Sequence, residues 1–271
     1  MRFGFIGDIV GKIGREAVCK YLAQVKSAYK LDCVIANGEN ASHGFGLGIS
    51  AMQELQSYGV DIFTGGNHTW DKKDILPLLA QENSCVLRPH NYPQGVVGSG
   101  IYIGTIRDEK FAVLNLMGHF GMPQCDNAFL CAKKSVEILQ NKGIKNIIVD
   151  FHAEATSEKR GMFMLLKGQV GAVLGTHTHV GTDDLEIFQG TFGVSDVGMS
   201  GARESVIGME EKEPLERFLT GIPNRLKVPE KKGIPMIFQM VVFELDKGQC
   251  KEAFKLKAID NKEIQKTLNA I

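Results

Sequence analysis

The chain has 271 residues, of which 44% are hydrophobic and 23% are charged. This composition supplies a sizeable apolar core and excludes an intrinsically disordered chain. Lys and Arg number 31, as do Asp and Glu, so the formal net charge is zero. Without a basic field, long nucleic acid and anionic membranes are excluded as general partners, whereas a small substrate or a short nucleic acid is allowed.

The six cysteines are scattered without CxxC spacing, which favours reduced thiols in a cytoplasmic protein. Met1 leads directly into a predicted strand, with no basic-then-apolar leader before it. No run of about 18 apolar residues occurs anywhere in the chain. We therefore expect a soluble, unexported protein that does not interact with a membrane.

Short apolar runs alternate with segments of helical periodicity through the first 175 residues. The runs are rich in Val, Ile and Phe and are bounded by Gly or polar residues, as buried strands are. The predicted strands cover residues 2–7, 32–37, 60–64, 146–151 and 169–175. The predicted helices cover residues 15–29, 49–58, 72–81, 127–141 and 157–166. This alternation predicts an α/β fold.

The remaining apolar runs predict additional strands. Residues 100–106 and 111–116 are a predicted hairpin around a turn at 107–110, and residues 185–194, 235–245 and 252–259 are three more predicted strands. A helical insert is expected at 210–219 and an exposed loop at 221–233. We expect one domain over residues 1–271, with two sheets packed face to face, outer helices and an insert at about 200–233.

Residue types that bind metals follow the five predicted buried strands. In chain order they are Asp8, Glu39, Asn40, Asn67, His68, His152, His177 and His179. In open α/β sheets, ligands gather outside the carboxyl ends of the strands. Residues far apart in sequence are therefore expected to converge on one cleft.

The donor atoms of this set are mixed. Asp8 and Glu39 offer carboxylate oxygens, Asn67 an amide oxygen and the histidines imidazole nitrogens, a mixture suited to a pair of Mn, Fe or Zn ions. Glu39 is the candidate to bridge the two ions. In extended backbone, His177 and His179 would point to the same side. Alone, such an HxH pair is equally typical of polar strand ends.

Five sequence blocks carry a family resemblance. They are Gly7-Asp8, Gly38-Glu39-Asn40, Gly66-Asn67-His68, His152 and Gly175-Thr176-His177-Thr178-His179. They resemble the blocks of the calcineurin-like metallophosphoesterases. Residues 36–41, 150–159 and 196–201 more narrowly resemble the bacterial YmdB-type phosphodiesterase family. The resemblance implies a four-layer α-β-β-α sandwich and a dinuclear centre, often of iron, that hydrolyses cyclic nucleotides such as 2′,3′-cyclic AMP by attack of a metal-bound hydroxide on phosphorus.

The resemblance also assigns roles to individual residues. It implies a first ion held by Asp8, Glu39 and His179, with Asn40 at or beside it. It implies a second ion held by Glu39, Asn67, His152 and His177. His68 resembles the catalytic histidine of the family, placed to protonate the departing ribose oxygen or to stabilise charge at phosphorus.

Two positions depart from the wider superfamily. Its first block usually reads Asp-x-His, whereas this chain has Asp8-Ile9-Val10, which removes one ligand of the first ion. In the second block, Glu39 replaces the usual aspartate and has a longer reach. Both changes agree with the narrower YmdB-type family.

Four further sites have weaker claims to a role. His43 is expected in an exposed loop and His119 in a loop or as a hydrogen-bond donor behind a ligand. For Arg88, a turn with surface charge is favoured over phosphate binding. Glu154 and Glu158 precede or begin a predicted helix, so capping of its N-terminus is expected.

The expected cofactors are two divalent or trivalent transition-metal ions, iron first, with manganese or zinc as alternatives. The expected partners are a small-molecule cyclic nucleotide and further copies of the chain in a homo-oligomer, with a short RNA or an RNA-processing partner as an alternative. Rival functions are a phosphomonoesterase or nucleotidase, and a regulatory nucleotide- or RNA-binding protein with slow turnover. A metal-dependent amide or guanidine hydrolase is less favoured, because the Asn67-His68 pair suits phosphoryl chemistry.

Overall fold

A computed structural model describes residues 1–231, 233–260 and 262–271. The strands are β1 (Arg2–Ile6), β2 (Asp8–Ile9), β3 (Cys33–Asn37), β4 (Ile62–Thr64), β5 (Ile101–Ile106), β6 (Glu109–Met117), β7 (Asn146–His152), β8 (Ala172–Thr176), β9 (Glu186–Phe188), β10 (Thr191–Val194), β11 (Met199–Ala202), β12 (Met236–Asp246), β13 (Gln249–Ile259) and β14 (Gln265–Asn269). The helices are α1 (Gly11–Tyr29), α2 (Ile49–Ser57), α3 (Leu76–Leu79), α4 (Ala128–Asn141), α5 (Thr156–Leu166) and α6 (Lys212–Thr220).

The strands form two sheets. The first has the order β14-β13-β12-β1-β3-β4, and β11 lies off this order and pairs with β12 and β2. The second has the order β5-β6-β7-β8-β10-β9. Strands β1, β3 and β4 are mutually parallel, as are β6, β7, β8 and β10. The carboxyl ends of parallel strands lie at one edge of their sheet. The candidate metal ligands of the sequence analysis follow these ends in both sheets.

Alternation of side chains along the strands builds the layers. On β1, Phe3 and Phe5 face the core between the sheets, whereas Ile6 faces the outer core beneath α1 and α2. The ring centroids of Phe3 and Phe111 lie 5.2 Å apart across the two sheets. Helices α4 and α5 cover the outer face of the second sheet through residues such as Val136. The expected four-layer α-β-β-α sandwich is confirmed.

Several predicted elements were wrong in detail. Residues 185–194 are not one strand but the antiparallel pair β9 and β10, because Gln189 and Gly190 have positive φ and reverse the chain. The predicted helix at 72–81 is a 3₁₀ turn, Lys73–Ile75, followed by the single turn of α3. Pro77 stands at the start of α3 and cannot donate the backbone hydrogen bond that a longer helix requires.

The C-terminal strands do not form a sheet of their own. Strand β12 pairs with β1 at the centre of the first sheet, while β9 and β10 extend the second sheet. Strands β2, β11 and β14 were not predicted, since β2 and β11 have only two and four residues and too little pattern to read. In the described ranges, no helix is long and apolar enough to cross a membrane.

Candidate metal centre

Side chains from five strand ends meet where the two sheets adjoin. Asp8 follows β1, and Glu39 and Asn67 follow β3 and β4 of the first sheet. His152 ends β7, and His177 follows β8 of the second sheet. We call the following residues the ligand cluster: Asp8, Glu39, Asn67, His152, His177 and His179.

His152 lies at the centre of the ligand cluster and is fully buried. Its Nε2 atom is 2.9 Å from Glu39 Oε1, 3.1 Å from Asn67 Oδ1 and 3.0 Å from His177 Nδ1. Glu39, His152 and His177 each offer one atom that could bind a metal ion, and these three atoms lie within 4.8 Å of one another. The spacing is that of atoms that share a small cation.

The other ring nitrogen of His152 determines which tautomer is present. Its Nδ1 is 2.9 Å from Thr176 Oγ1, and the Thr176 hydroxyl donates to Asp150 Oδ1 at 2.8 Å. Because that hydroxyl has one proton, it must accept from Nδ1–H of His152. When His152 is neutral, its Nε2 atom therefore carries a lone pair, and this lone pair faces the lone pairs of neighbouring oxygen and nitrogen atoms. A cation satisfies all of these atoms at once.

Asp8 and His179 form the neighbouring half of the ligand cluster. His179 Nε2 is 3.6 Å from Asp8 Oδ1, while its Nδ1 donates to the backbone carbonyl of Ile207 at 2.7 Å. Asn40 donates through Nδ2 to the Gly44 carbonyl at 3.0 Å, which leaves its Oδ1 free. Among the described residues, Asp8 Oδ1, Glu39 Oε1 and Asn40 Oδ1 are buried without a hydrogen-bond partner. Such orphaned oxygens fit hard metal ions.

The pKa values in the ligand cluster indicate a shortage of positive charge. Burial would lower the pKa of His152, but the carboxylates of Glu39 and Asp8 outweigh burial and raise it. Burial likewise opposes the charged form of His179, yet Asp8 raises its pKa to about 9. The imidazoles hold the pKa values of both carboxyl groups below their usual range despite burial. Burial and the neighbouring His152 lower the pKa of His177 to about 3, so this ring is neutral.

The HxH pair is not in extended backbone, so that part of the sequence analysis was wrong. β8 ends at Thr176, and His177 and His179 have φ of 98° and 65°. These left-handed conformations are strained for non-glycine residues. The first imidazole consequently points to His152 and the second to Asp8.

A buried ion pair holds this strained segment in place. Asp196 Oδ2 accepts from Thr178 N at 3.1 Å, from Thr178 Oγ1 at 2.7 Å and from Lys159 Nζ at 2.8 Å. Both charged side chains are at most 4% exposed. Lys159 therefore connects α5 to the loop that carries His177 and His179.

Gly66 lets the two sheets approach within the ligand cluster. A Cβ atom on Gly66 would overlap the His152 ring and the Glu39 carboxylate. No other residue fits this position while both side chains keep their places. This close approach is the physical reason for a glycine directly before Asn67.

His68 stands at the rim of the ligand cluster. Its backbone N–H donates to Glu39 Oε2 at 3.1 Å, and its Nδ1 lies 2.9 Å from Asp71 Oδ2. The Phe45 ring packs edge-on against the imidazole, with centroids 5.0 Å apart. Since Nδ1 is held by Asp71, Nε2 is left for a molecule in the cleft.

A cleft of about 270 Å³ opens above these residues. Its polar side includes Glu39, Asn40, His68, His177 and His179. We call its other side the apolar wall, which comprises Phe45, Ile207, Met209, Phe218 and Leu226. The cleft therefore has a polar, charged floor and an apolar side.

Val10, two residues after Asp8, does not line the cleft. It is 2% exposed and packs with Met199, Met209 and Val228. This small apolar cluster anchors the chain on either side of α6. The position of Val10 therefore contributes packing.

The weaker candidates lie outside the ligand cluster. His43 is exposed with φ of 58°, as expected of a loop histidine. His119 Nε2 lies 3.1 Å from the Asp126 carbonyl. Arg88 is not a surface charge: it is 6% exposed, and its guanidinium donates to the carbonyls of Pro89 and Val97. It stabilises its own loop.

The capping expected from Glu154 and Glu158 was wrong. Helix α5 begins at Thr156 without a side-chain cap. Glu158 does lie in its first turn, but its carboxylate accepts from the backbone N–H groups of residues 119 and 120. Glu154 Oε2 instead lies 3.0 Å from His177 Nε2.

Sequence reasoning missed the residues that hold the others in place. They are Asp71, Asp150, Lys159, Thr176 and Asp196. Three of them stand in the stretches 150–159 and 196–201 that carry the family resemblance, so their presence there was the available signal. Asp71 comes three residues after His68, a spacing that a single turn brings together.

Comparison with known proteins gives a match over nearly the whole chain. A family model described as YmdB-like protein matches residues 5–258. The chain belongs to the YmdB-like family. A YmdB-like relative, the 2′,3′-cyclic-nucleotide 2′-phosphodiesterase of Bacillus subtilis (strain 168), is 41% identical over 260 residues, which is 96% of each chain.

Two solved structures also resemble this YmdB-like chain. A hypothetical protein from Thermus thermophilus superposes with a TM-score of 0.89 at 36% identity, over 96% of this chain and 100% of the other. A phosphatase from Mycoplasma pneumoniae has a TM-score of 0.89 at 32% identity, over 96% and 94%. The expected family is confirmed.

Proposed function

We propose that this protein is a metallophosphoesterase that hydrolyses nucleoside 2′,3′-cyclic phosphates. The observation that carries the proposal is the convergence of oxygen and nitrogen atoms of Glu39, Asn67 and His177 on His152 Nε2, within 3.1 Å. The relative that is 41% identical over 96% of the chain is named for this activity, which supports the choice of substrate.

Two metal ions fit the ligand cluster. Asp8, His179 and the orphaned oxygen of Asn40 would hold one ion, and Asn67, His152 and His177 the other, with Glu39 between them. When bound, such a pair supplies an activated water molecule and neutralises charge on the phosphoryl oxygens. Iron is our proposed metal, with manganese or zinc as alternatives, because carboxylate, amide and imidazole donors together suit these ions.

The chain's own residues would position the substrate and move the proton. With the phosphate above the ligand cluster, a water oxygen bonds to phosphorus as the bond from phosphorus to the ribose 2′ oxygen breaks. Protonated His68 gives its Nε2 proton to that departing oxygen, and Asp71 holds the ring through Nδ1. The attacking water loses one proton to solvent, from which His68 is protonated again, and the product is a nucleoside 3′-phosphate.

The experiment compares Glu39→Ala with His68→Ala. We expect Glu39→Ala to lose both bound metal and turnover, because it removes the central carboxylate. We expect His68→Ala to keep its metal and to lose turnover by about a hundredfold or more. His43→Ala, in an exposed loop, is the matched control and should behave as wild type. Full activity of both site variants would overturn the assignment.

A panel of substrates separates this proposal from its rivals. Metal content is measured in protein purified without chelator, and hydrolysis is followed for 2′,3′-cyclic AMP, bis(p-nitrophenyl) phosphate and AMP. A preference for AMP would identify a nucleotidase. Tight binding of the cyclic nucleotide without turnover at full metal occupancy would identify a regulatory binding protein.

Other expectations stay predictions. They are a single domain over residues 1–271, a cytoplasmic location, a homo-oligomer and an interaction with a short RNA or an RNA-processing partner.

A further inference from the structure

The apolar wall contains exposed hydrophobic side chains beside a charged site. Phe218 on α6 is 74% exposed and Ile207 is 48% exposed, although both line the cleft. Large apolar groups concentrated at the mouth of a polar site indicate a ligand that is itself partly apolar. A phosphate ester of a small polar alcohol would leave this surface in water.

Direct contacts fix the apolar wall relative to the ligand cluster. The carbonyl of Ile207 accepts from His179 Nδ1 at 2.7 Å, so this wall residue is attached to a candidate ligand. Phe45, also of the apolar wall, packs against His68 with ring centroids 5.0 Å apart. The aromatic side chains of Phe45 and Phe218 therefore line the same cleft as the candidate ligands.

Polar contacts near the start and the middle of helix α6 hold it beside the cleft that Phe218 lines. Lys227 pairs with Glu213 at 3.2 Å, and Asn224 donates to Glu216 at 2.9 Å. These contacts tie α6 to the returning segment 224–228, which supplies Leu226 to the wall. Pro214 of α6 also lines the cleft.

We propose that the apolar wall binds the base of the substrate, with Phe218 as the stacking residue. This inference rests on the proposed function and extends it to specificity. Every base has a flat π-face that stacks on an aromatic ring. Because no side chain of the wall carries a hydrogen-bonding group, the enzyme accepts all four bases and favours purines, which stack over a larger area.

The test uses Phe218→Ala with Leu219→Ala as its matched control. Leu219 is the next residue of α6, is 86% exposed and does not line the cleft. For 2′,3′-cyclic AMP, Phe218→Ala should raise KM about tenfold with kcat nearly unchanged. Phe218→Trp should restore the wild-type KM, and Leu219→Ala should leave both constants unchanged.

A substrate without a base isolates the stacking contribution. The 2′,3′-cyclic phosphate of methyl riboside should be hydrolysed equally by wild type and Phe218→Ala. An equal loss on both substrates, or no effect of Phe218→Ala on either, would overturn the stacking role. A wild-type preference of more than about a hundredfold between 2′,3′-cyclic AMP and its cytidine, guanosine and uridine counterparts would overturn base tolerance.

Two further readouts distinguish other outcomes. If wild type hydrolyses no cyclic nucleotide, the proposed function fails. The affinity of 3′-AMP for wild type and for Phe218→Ala, measured by calorimetry, then tests whether the apolar wall binds a base. Weaker binding of 3′-AMP to Phe218→Ala would support base binding by the apolar wall, and equal binding would overturn it.

If both alanine variants change the native mass in light scattering and leave the kinetics unchanged, α6 is an interface between copies and the inference is wrong.

Discussion

The ligand cluster and the apolar wall border the same cleft but are built differently. Asp8, Glu39 and His152 are at most 2% exposed and stand at the ends of parallel strands. The wall comes mostly from loops and the nine-residue helix α6, and Phe218 is 74% exposed. The cluster stands mainly on the ends of buried strands, whereas the wall is held by a few contacts of loops and α6.

Under our proposals, this difference corresponds to chemistry in the ligand cluster and recognition at the apolar wall. A buried cluster with strained residues must be supported by the surrounding structure, so small changes there affect metal binding and turnover together. A wall at the surface can change its side chains with little effect on the fold. Substitutions in the two regions should therefore differ in both the size and the kind of their effects.

The largest effect is expected from Gly66→Ala. The added Cβ overlaps His152 and Glu39, so metal affinity should fall and turnover should drop by at least about a hundredfold. Gly161→Ala is the control, because its Cβ on α5 would meet only the Phe129 ring at 3.3 Å. Metal analysis and steady-state kinetics measure the result. Wild-type activity of Gly66→Ala would contradict the close packing of the cluster.

A large loss of stability is expected when the buried ion pair behind the cluster is broken. Lys159→Met leaves the Asp196 charge buried without its cation, which should lower the free energy of unfolding by about 3 kcal/mol. The exposed pair of Lys12 and Glu16, at 3.9 Å, gives the control. Lys12→Met should change the free energy of unfolding by less than about 0.5 kcal/mol. Urea unfolding of both variants measures the difference, and equal losses would contradict it.

The metal-free cluster should make stability depend on pH. Asp8 raises the folded-state pKa of His179 to about 9, above the unfolded value near 6.5. The stabilisation is complete below about pH 6.5 and is lost as pH rises through about 9. Chelator-treated protein should lose on the order of 2 kcal/mol over this range.

Two comparisons check this pH dependence. The variant His179→Gln should lack the His179 contribution, so the gap between its unfolding free energy and that of wild type should close as pH rises. Added Mn²⁺ should flatten the wild-type profile, because the cation replaces the proton. A gap that stays constant from about pH 6.5 to about pH 9 would contradict the role of this ion pair.

The smallest effect is expected at the rim. Asp71→Asn keeps the shape of the side chain but weakens its hold on His68 Nδ1. We expect kcat to fall about tenfold with KM and metal content unchanged. Asp108→Asn, in an exposed turn, is the control and should have no effect. Loss of bound metal in Asp71→Asn would show that Asp71 supports the cluster instead.

The sequence predicted the buried strands and the candidate ligands well, and it predicted contacts between distant segments poorly. The buried strands β1, β3 and β7 were predicted within one or two residues, because their apolar runs are continuous. The candidate ligands were found because each follows such a strand. The roles of Lys159 and Asp196 were not found, because a buried pair between a helix and a distant loop leaves no local pattern.

The sequence by itself determined the α/β alternation, the family and the residue types at the strand ends, since these depend on local periodicity and on contiguous motifs. Only the tertiary structure decided that His177 and His179 diverge in left-handed backbone and that His152 Nε2 faces the other candidate ligands. It also decided that the segment around α6 forms an apolar side of the cleft. These features depend on contacts between residues far apart in the chain, and the physical forces behind them act through space and not along the sequence.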